Sequence, residues 1–183
     1  TVKNWLIIVA FLDFDFDDKP DCFFGSMIKA ALIVGLGSFL GGGLRYLSVA
    51  WIERKADMDF PLAILLVNIT GSFLIGFVTP GLERASFGGD SLMPLFLTAG
   101  IMGGFTTFST FSLQTLKLAQ SGNWNLAFLN ALASLLCCLV SVFTGLKVGQ
   151  LYFASLPRGP RSVLGESVRE LMGYTSSTIL SAR

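Results

Sequence analysis

The chain has 183 residues, 52% of them hydrophobic and 14% charged, with no histidine and a mean hydropathy of +0.68. Such a composition departs far from that of soluble domains and reads as a membrane protein. A formal net charge of +1, carried by scattered lysines and arginines, excludes nucleic-acid binding, and the missing histidine removes the commonest general base.

Residues 1–26 read as an N-terminal extension foreign to the core. The apolar run Trp5–Phe11 is too short to cross a bilayer and is followed at once by Asp13, Asp15, Asp17 and Asp18. Met27 reads as the start of the core. About 20 helical residues cross a hydrocarbon layer roughly 30 Å thick, and four stretches qualify: Ile28–Ala50, Phe60–Gly81, Leu92–Leu116 and Leu126–Gly149. Short polar links join them, Ile52–Asp59, Glu83–Asp90 and Lys117–Asn125, and links of that length favour antiparallel neighbours in a bundle. Residues 152–183 form a polar tail foreign to the core, with a short surface helix at Glu166–Met172. The expected fold is all-α, with four transmembrane helices over residues 27–151 and the third helix broken near its middle.

An even number of crossings puts both ends of the core on one side. Counted on the core alone, Lys29, Arg84 and Lys147 then flank that side, while Arg45, Arg54, Lys55 and Lys117 flank the other; adding the tails would tip the count to the side of the ends. Orientation follows an excess of basic residues in cytoplasmic loops, and a near tie predicts insertion both ways round. The assembly that follows is an antiparallel homodimer, because a two-fold contact uses one patch twice. Glycines offer close-packing surfaces for it: Gly35, Gly37, Gly41, Gly42 and Gly43 on the first span, Gly71 and Gly76 on the second, Gly145 and Gly149 on the fourth.

No catalytic constellation is present, so an enzyme is not expected. Cys22, Cys137 and Cys138 lack metal-ligand spacing and read as small apolar residues. No carboxylate lies well inside any span, which argues against a proton-coupled exporter of cationic drugs. Asn68, mid-way along the second span, has two readings: interhelical glue, or one member of a polar lane shared with Thr70, Ser72 and the hydroxyls of the third span. In the third span, Gly103 and Gly104 mark the expected break, which would release backbone carbonyls toward a cation. Beyond it, Phe108 and Phe111 share a helix face beside a Ser109/Ser112 stripe, interleaved with Thr107 and Thr110. Those rings either face lipid or offer their positive edges to a dehydrating anion. Arg45, near the end of the first span, either snorkels to the headgroups or draws anions toward an entrance.

Four stretches together resemble the dual-topology fluoride channels of the Fluc or CrcB family: Gly41–Tyr46, Val67–Phe73, Gly100–Ser112, and a fourth span with Asn130 and Ser134. The resemblance covers about Met27–Leu151. It implies a passive channel in the cell (inner) membrane, exporting fluoride through two pores of an antiparallel homodimer in the lipid bilayer, with a structural sodium ion at the centre. Carried over position by position, it implies Phe108 and Phe111 as an aromatic box, Asn68 as the pore amide, and Thr110, Ser112 and Ser134 as polar-track members. It also implies Arg45 as a vestibule arginine, and the backbone carbonyls of Gly103 and Thr106, two from each subunit, as the sodium ligands. Two positions depart from the family pattern: Ile64 stands where a threonine is usual, and Gln114 where an acid is common. Ser134, Cys138 and Ser141 compete for the fourth-span track position. The leading alternative is a transporter of the small-multidrug-resistance type, which needs the buried acid that this chain lacks.

Overall fold

A chain in hydrocarbon must satisfy its backbone N–H and C=O groups internally, and long apolar segments do so as helices. The computed structural model describes residues 20–55, 60–85 and 91–156. Helix α1 spans Pro20–Glu53 and α2 spans Leu62–Arg84. There follow the short α3 (Met93–Leu95), a π-helical segment (Phe96–Met102), α4 (Gly103–Phe105), α5 (Phe108–Gln120) and the long α6 (Trp124–Ser155). The Trp5–Phe11 run, its acidic cluster and the expected helix at Glu166–Met172 lie outside the described residues.

Among the described residues, three helices are long and apolar enough to cross a membrane: Gly25–Glu53, Leu62–Arg84 and Trp124–Ser155. Their surfaces are inverted relative to a soluble protein. Large apolar side chains such as Phe39, Tyr46 and Leu151 stand more than 70% exposed, while Thr107, Asn130 and Ser134 are buried. An apolar surface of this extent marks contact with lipid or with another chain, and the molecule is a multi-pass membrane protein.

The stretch expected as the third span is one rod interrupted, not at its glycines but three residues later. Gly103 is helical (φ −63°, ψ −38°), whereas Thr106 (φ −81°, ψ 158°) and Thr107 (φ −151°, ψ 114°) are extended. Of the double glycine, Gly104 serves packing instead of the break. A β-carbon on Gly104 would sit 2.7 Å from the Ser38 carbonyl oxygen of α1, so only hydrogen fits there. Across the same contact Gly37 meets Gly100, and Ser38 Oγ donates to the Gly100 carbonyl at 3.5 Å.

Not every glycine of the first span packs in this way. Gly37 and Gly41 lie against the broken rod, but a β-carbon added at Gly35, Gly42 or Gly43 would meet nothing within 4 Å, so these three contribute no close contact within the chain. The tightest seam is α2 against α6. There Gly145 and Gly149 face the carbonyls of Phe73 and Phe77, and Ser141 Oγ donates to Ile69 O at 2.8 Å. Phe77, Tyr152 and Phe153 close its lower end, with ring centroids 5.2–5.7 Å apart.

Candidate functional site

A broken helix leaves the last carbonyls of its first half and the first N–H groups of its second half without helical partners. Here side chains take up part of that deficit. The Thr107 N–H, which in a continuous helix would close on the Gly103 carbonyl, donates to Asn68 Oδ1 at 2.8 Å. Asn68 Nδ2 donates in return to the Thr107 carbonyl at 3.0 Å. The Thr110 N–H, which would close on Thr106, donates to Thr107 Oγ1 at 3.3 Å, the pairing of a threonine N-cap. The carbonyls of Gly103 and Thr106 therefore both lose their helical donors to side chains.

Asn68 is thus the brace of the break, a partnership between residues 39 apart in sequence. A primary amide carries two N–H donors, and only one of them is used on Thr107. Ser134 Oγ is buried and makes no hydrogen bond.

These groups share one cavity of about 650 Å³, lined by Asn68, Gly103, Thr106, Phe108, Phe111 and Ser134 among others. None of its lining side chains is charged. The Phe108 and Phe111 rings pack with centroids 5.3 Å apart at 51°. Phe108 is 79% exposed, so among the described residues its ring is left largely uncovered despite the contact with Phe111.

Three of the residues expected at the site are not among the residues lining this cavity. Thr110 Oγ1 pairs with Thr107 Oγ1 at 3.0 Å. The Ser112 hydroxyl donates to the Phe108 carbonyl at 2.9 Å and borders a separate shallow depression between α5 and α6. Arg45 lies off this cavity, and its Nη1 donates to the Thr106 carbonyl at 3.1 Å. Of the competing fourth-span positions, Ser134 and Cys138 line the cavity, whereas Ser141 is engaged with Ile69. Ile64 is a buried core residue, and Gln114 Oε1 is buried without a partner beside a second cavity of about 450 Å³. Asn130 donates to Thr115 Oγ1 at 2.7 Å.

Thr107, which the sequence offers only as one of the interleaved hydroxyls, has a role of its own in the structure. It is buried, lines the cavity and caps α5. Its signal was the hydroxyl immediately before an amphipathic run, the position that favours Ser or Thr as N-cap.

Among the described residues no cluster of three His, Cys, Asp or Glu side chains could hold a metal. Neutral carbonyls are the donors present. Gly103 fits a small hard cation, since its carbonyl has lost its helical donor, while Thr106 already accepts from a guanidinium.

Fold and site together define a helical membrane protein built around a braced helix break that faces an uncharged, hydroxyl- and phenyl-lined cavity. Residues 32–146, more than half the chain, match the family described as CrcB-like protein, Camphor Resistance (CrcB), and the chain belongs to that family. Among curated relatives, the "Fluoride-specific ion channel FluC" of Clostridium perfringens (strain 13 / Type A) is 44% identical over 124 residues, covering 67% of this chain and 95% of the relative. Proteins of the same name from Elusimicrobium minutum (41%, covering 69% and 98%) and Anaeromyxobacter sp. strain K (46%, covering 61% and 88%) are similar. These relatives are named as channels, and the chain is no enzyme.

Proposed function

We propose that the chain is a passive, fluoride-selective channel that lets fluoride run out of the cytoplasm. The names of its relatives support the ion, and one observation in the site carries the chemistry: Ser134, whose buried hydroxyl has no partner in the fold, lines the same cavity as Phe108, Phe111 and the braced Asn68. A fluoride ion entering such a cavity must exchange its water for protein donors. The Ser134 O–H and the spare Asn68 N–H supply two, and the ring edges of Phe108 and Phe111 supply weaker positive contacts. With no formal cation lining the cavity, the anion is held strongly enough to enter and weakly enough to leave.

Counted with the broken rod, the chain makes four crossings. Two copies in opposite orientation complete the assembly, each with its own pore. The near balance of basic residues within the core and the largely uncovered ring of Phe108 favour this arrangement. In it the Gly103 and Thr106 carbonyls of both copies would hold the sodium ion, whose charge would complement the exposed negative ends of the first half-helices.

Fluoride efflux from liposomes tests the reading. Loaded vesicles carrying the purified protein should lose fluoride within seconds once a potassium ionophore relieves the charge, and should retain chloride. Slow loss, or loss that needs a proton gradient, would contradict it.

A further inference from the structure

Arg45 lies eight residues before the end of α1 at Glu53, which places it about 12 Å inside the helix at 1.5 Å per residue. A charge at that depth is costly unless it is paired or hydrogen-bonded. Its guanidinium is half-buried and is spent on the Thr106 carbonyl at 3.1 Å. That carbonyl has turned out of the helical ladder and lost its own donor to the Thr107 cap. It belongs to the negative end of the first half-helix, where a cation is favoured.

We infer that Arg45 is the break's resident cation and sets its affinity for sodium by competing for the Thr106 carbonyl oxygen. A sodium ion using the same oxygen would lie within about 5 Å of the guanidinium, close enough for strong repulsion in a site of low dielectric. Sodium must therefore share or displace Arg45, and its binding is weaker than the bare carbonyls would give. The break keeps one positive charge even when sodium is scarce. This rests on the sodium assignment proposed above.

The test is sodium-dependent thermal stability of the purified protein in detergent, followed by tryptophan fluorescence while sodium replaces N-methylglucamine at constant ionic strength. In Arg45→Gln the sodium midpoint should fall by about tenfold or more, since a repelling charge is gone. Arg45→Lys, which keeps the charge, should stay near the parent. If Arg45→Gln does not accumulate, Arg45→Ala purified with methylguanidinium replaces it, and removing that cation should lower the sodium midpoint. An unchanged or higher midpoint without the guanidinium overturns the inference, as does indifference to sodium in every variant. Fluoride efflux from the same preparations separates the two readings. A chain that carries no fluoride but shows the Arg45-dependent shift overturns the channel alone, and intact efflux with no shift overturns the Arg45 role alone.

Discussion

Helix α2 has two seams, and they differ in what their polar groups do. Against α6 the contact is mainly backbone on backbone at Gly76, Gly145 and Gly149, with one hydrogen bond from Ser141 to the Ile69 carbonyl and an aromatic cluster that seals the end. Against the broken rod Gly71 packs on Thr106 and Phe105, but a polar side chain, Asn68, bonds both backbone groups of Thr107, and a cavity remains beside it. Where lipid offers no hydrophobic drive, small residues give close dry packing, while a polar side chain is retained only where backbone needs a partner. The first seam holds the protein together. The second spends its polar groups on keeping a helix open.

The largest effect should come from severing the brace. Asn68→Ala orphans both the N–H and the carbonyl of Thr107, at about 1–3 kcal/mol for each buried group left unpaired. Thermal denaturation should show a severe loss, and fluoride efflux should vanish with it. A fold and flux that tolerate the change would mean that the break is held by something other than α2.

A smaller loss is expected on the dry side. Gly145→Ala pushes a methyl group onto the Phe73 backbone, 3.0 Å from the Phe77 nitrogen, and neither can swing away. Overpacking of this kind costs about 1–3 kcal/mol. Denaturation of this variant should show that loss, with the efflux of the remaining folded protein near the parent rate. Flux that falls further than stability would show that the two seams are coupled.

The sequence reveals most of the membrane architecture, because crossing a bilayer imposes length and hydropathy that no packing detail can override. It also announces an interruption in the third stretch. It misplaces that interruption because glycine has two uses: Gly103–Gly104 reads as a helix breaker, yet Gly104 is small so that Ser38 can approach. The break belongs to Thr106–Thr107, where a cap and a distant amide cooperate, and no local pattern specifies a partner 39 residues away. Arg45 is a second case: position in the sequence gives it two readings, headgroup or entrance, and neither names the Thr106 carbonyl, which α1, running past the expected boundary to Glu53, brings within its reach. The π-helical segment Phe96–Met102 has no sequence signal, since its residues are ordinary helix formers or small.

The central claim, that an anion takes its donors from the uncharged cavity at the break, is tested most directly at Ser134. Its hydroxyl has no partner in the fold, so Ser134→Ala should leave thermal stability unchanged or slightly higher. Fluoride efflux from liposomes should nevertheless fall by about tenfold, the worth of roughly 1.4 kcal/mol of lost hydrogen bonding in transit. Parent-level efflux from a well-folded Ser134→Ala protein would contradict the account.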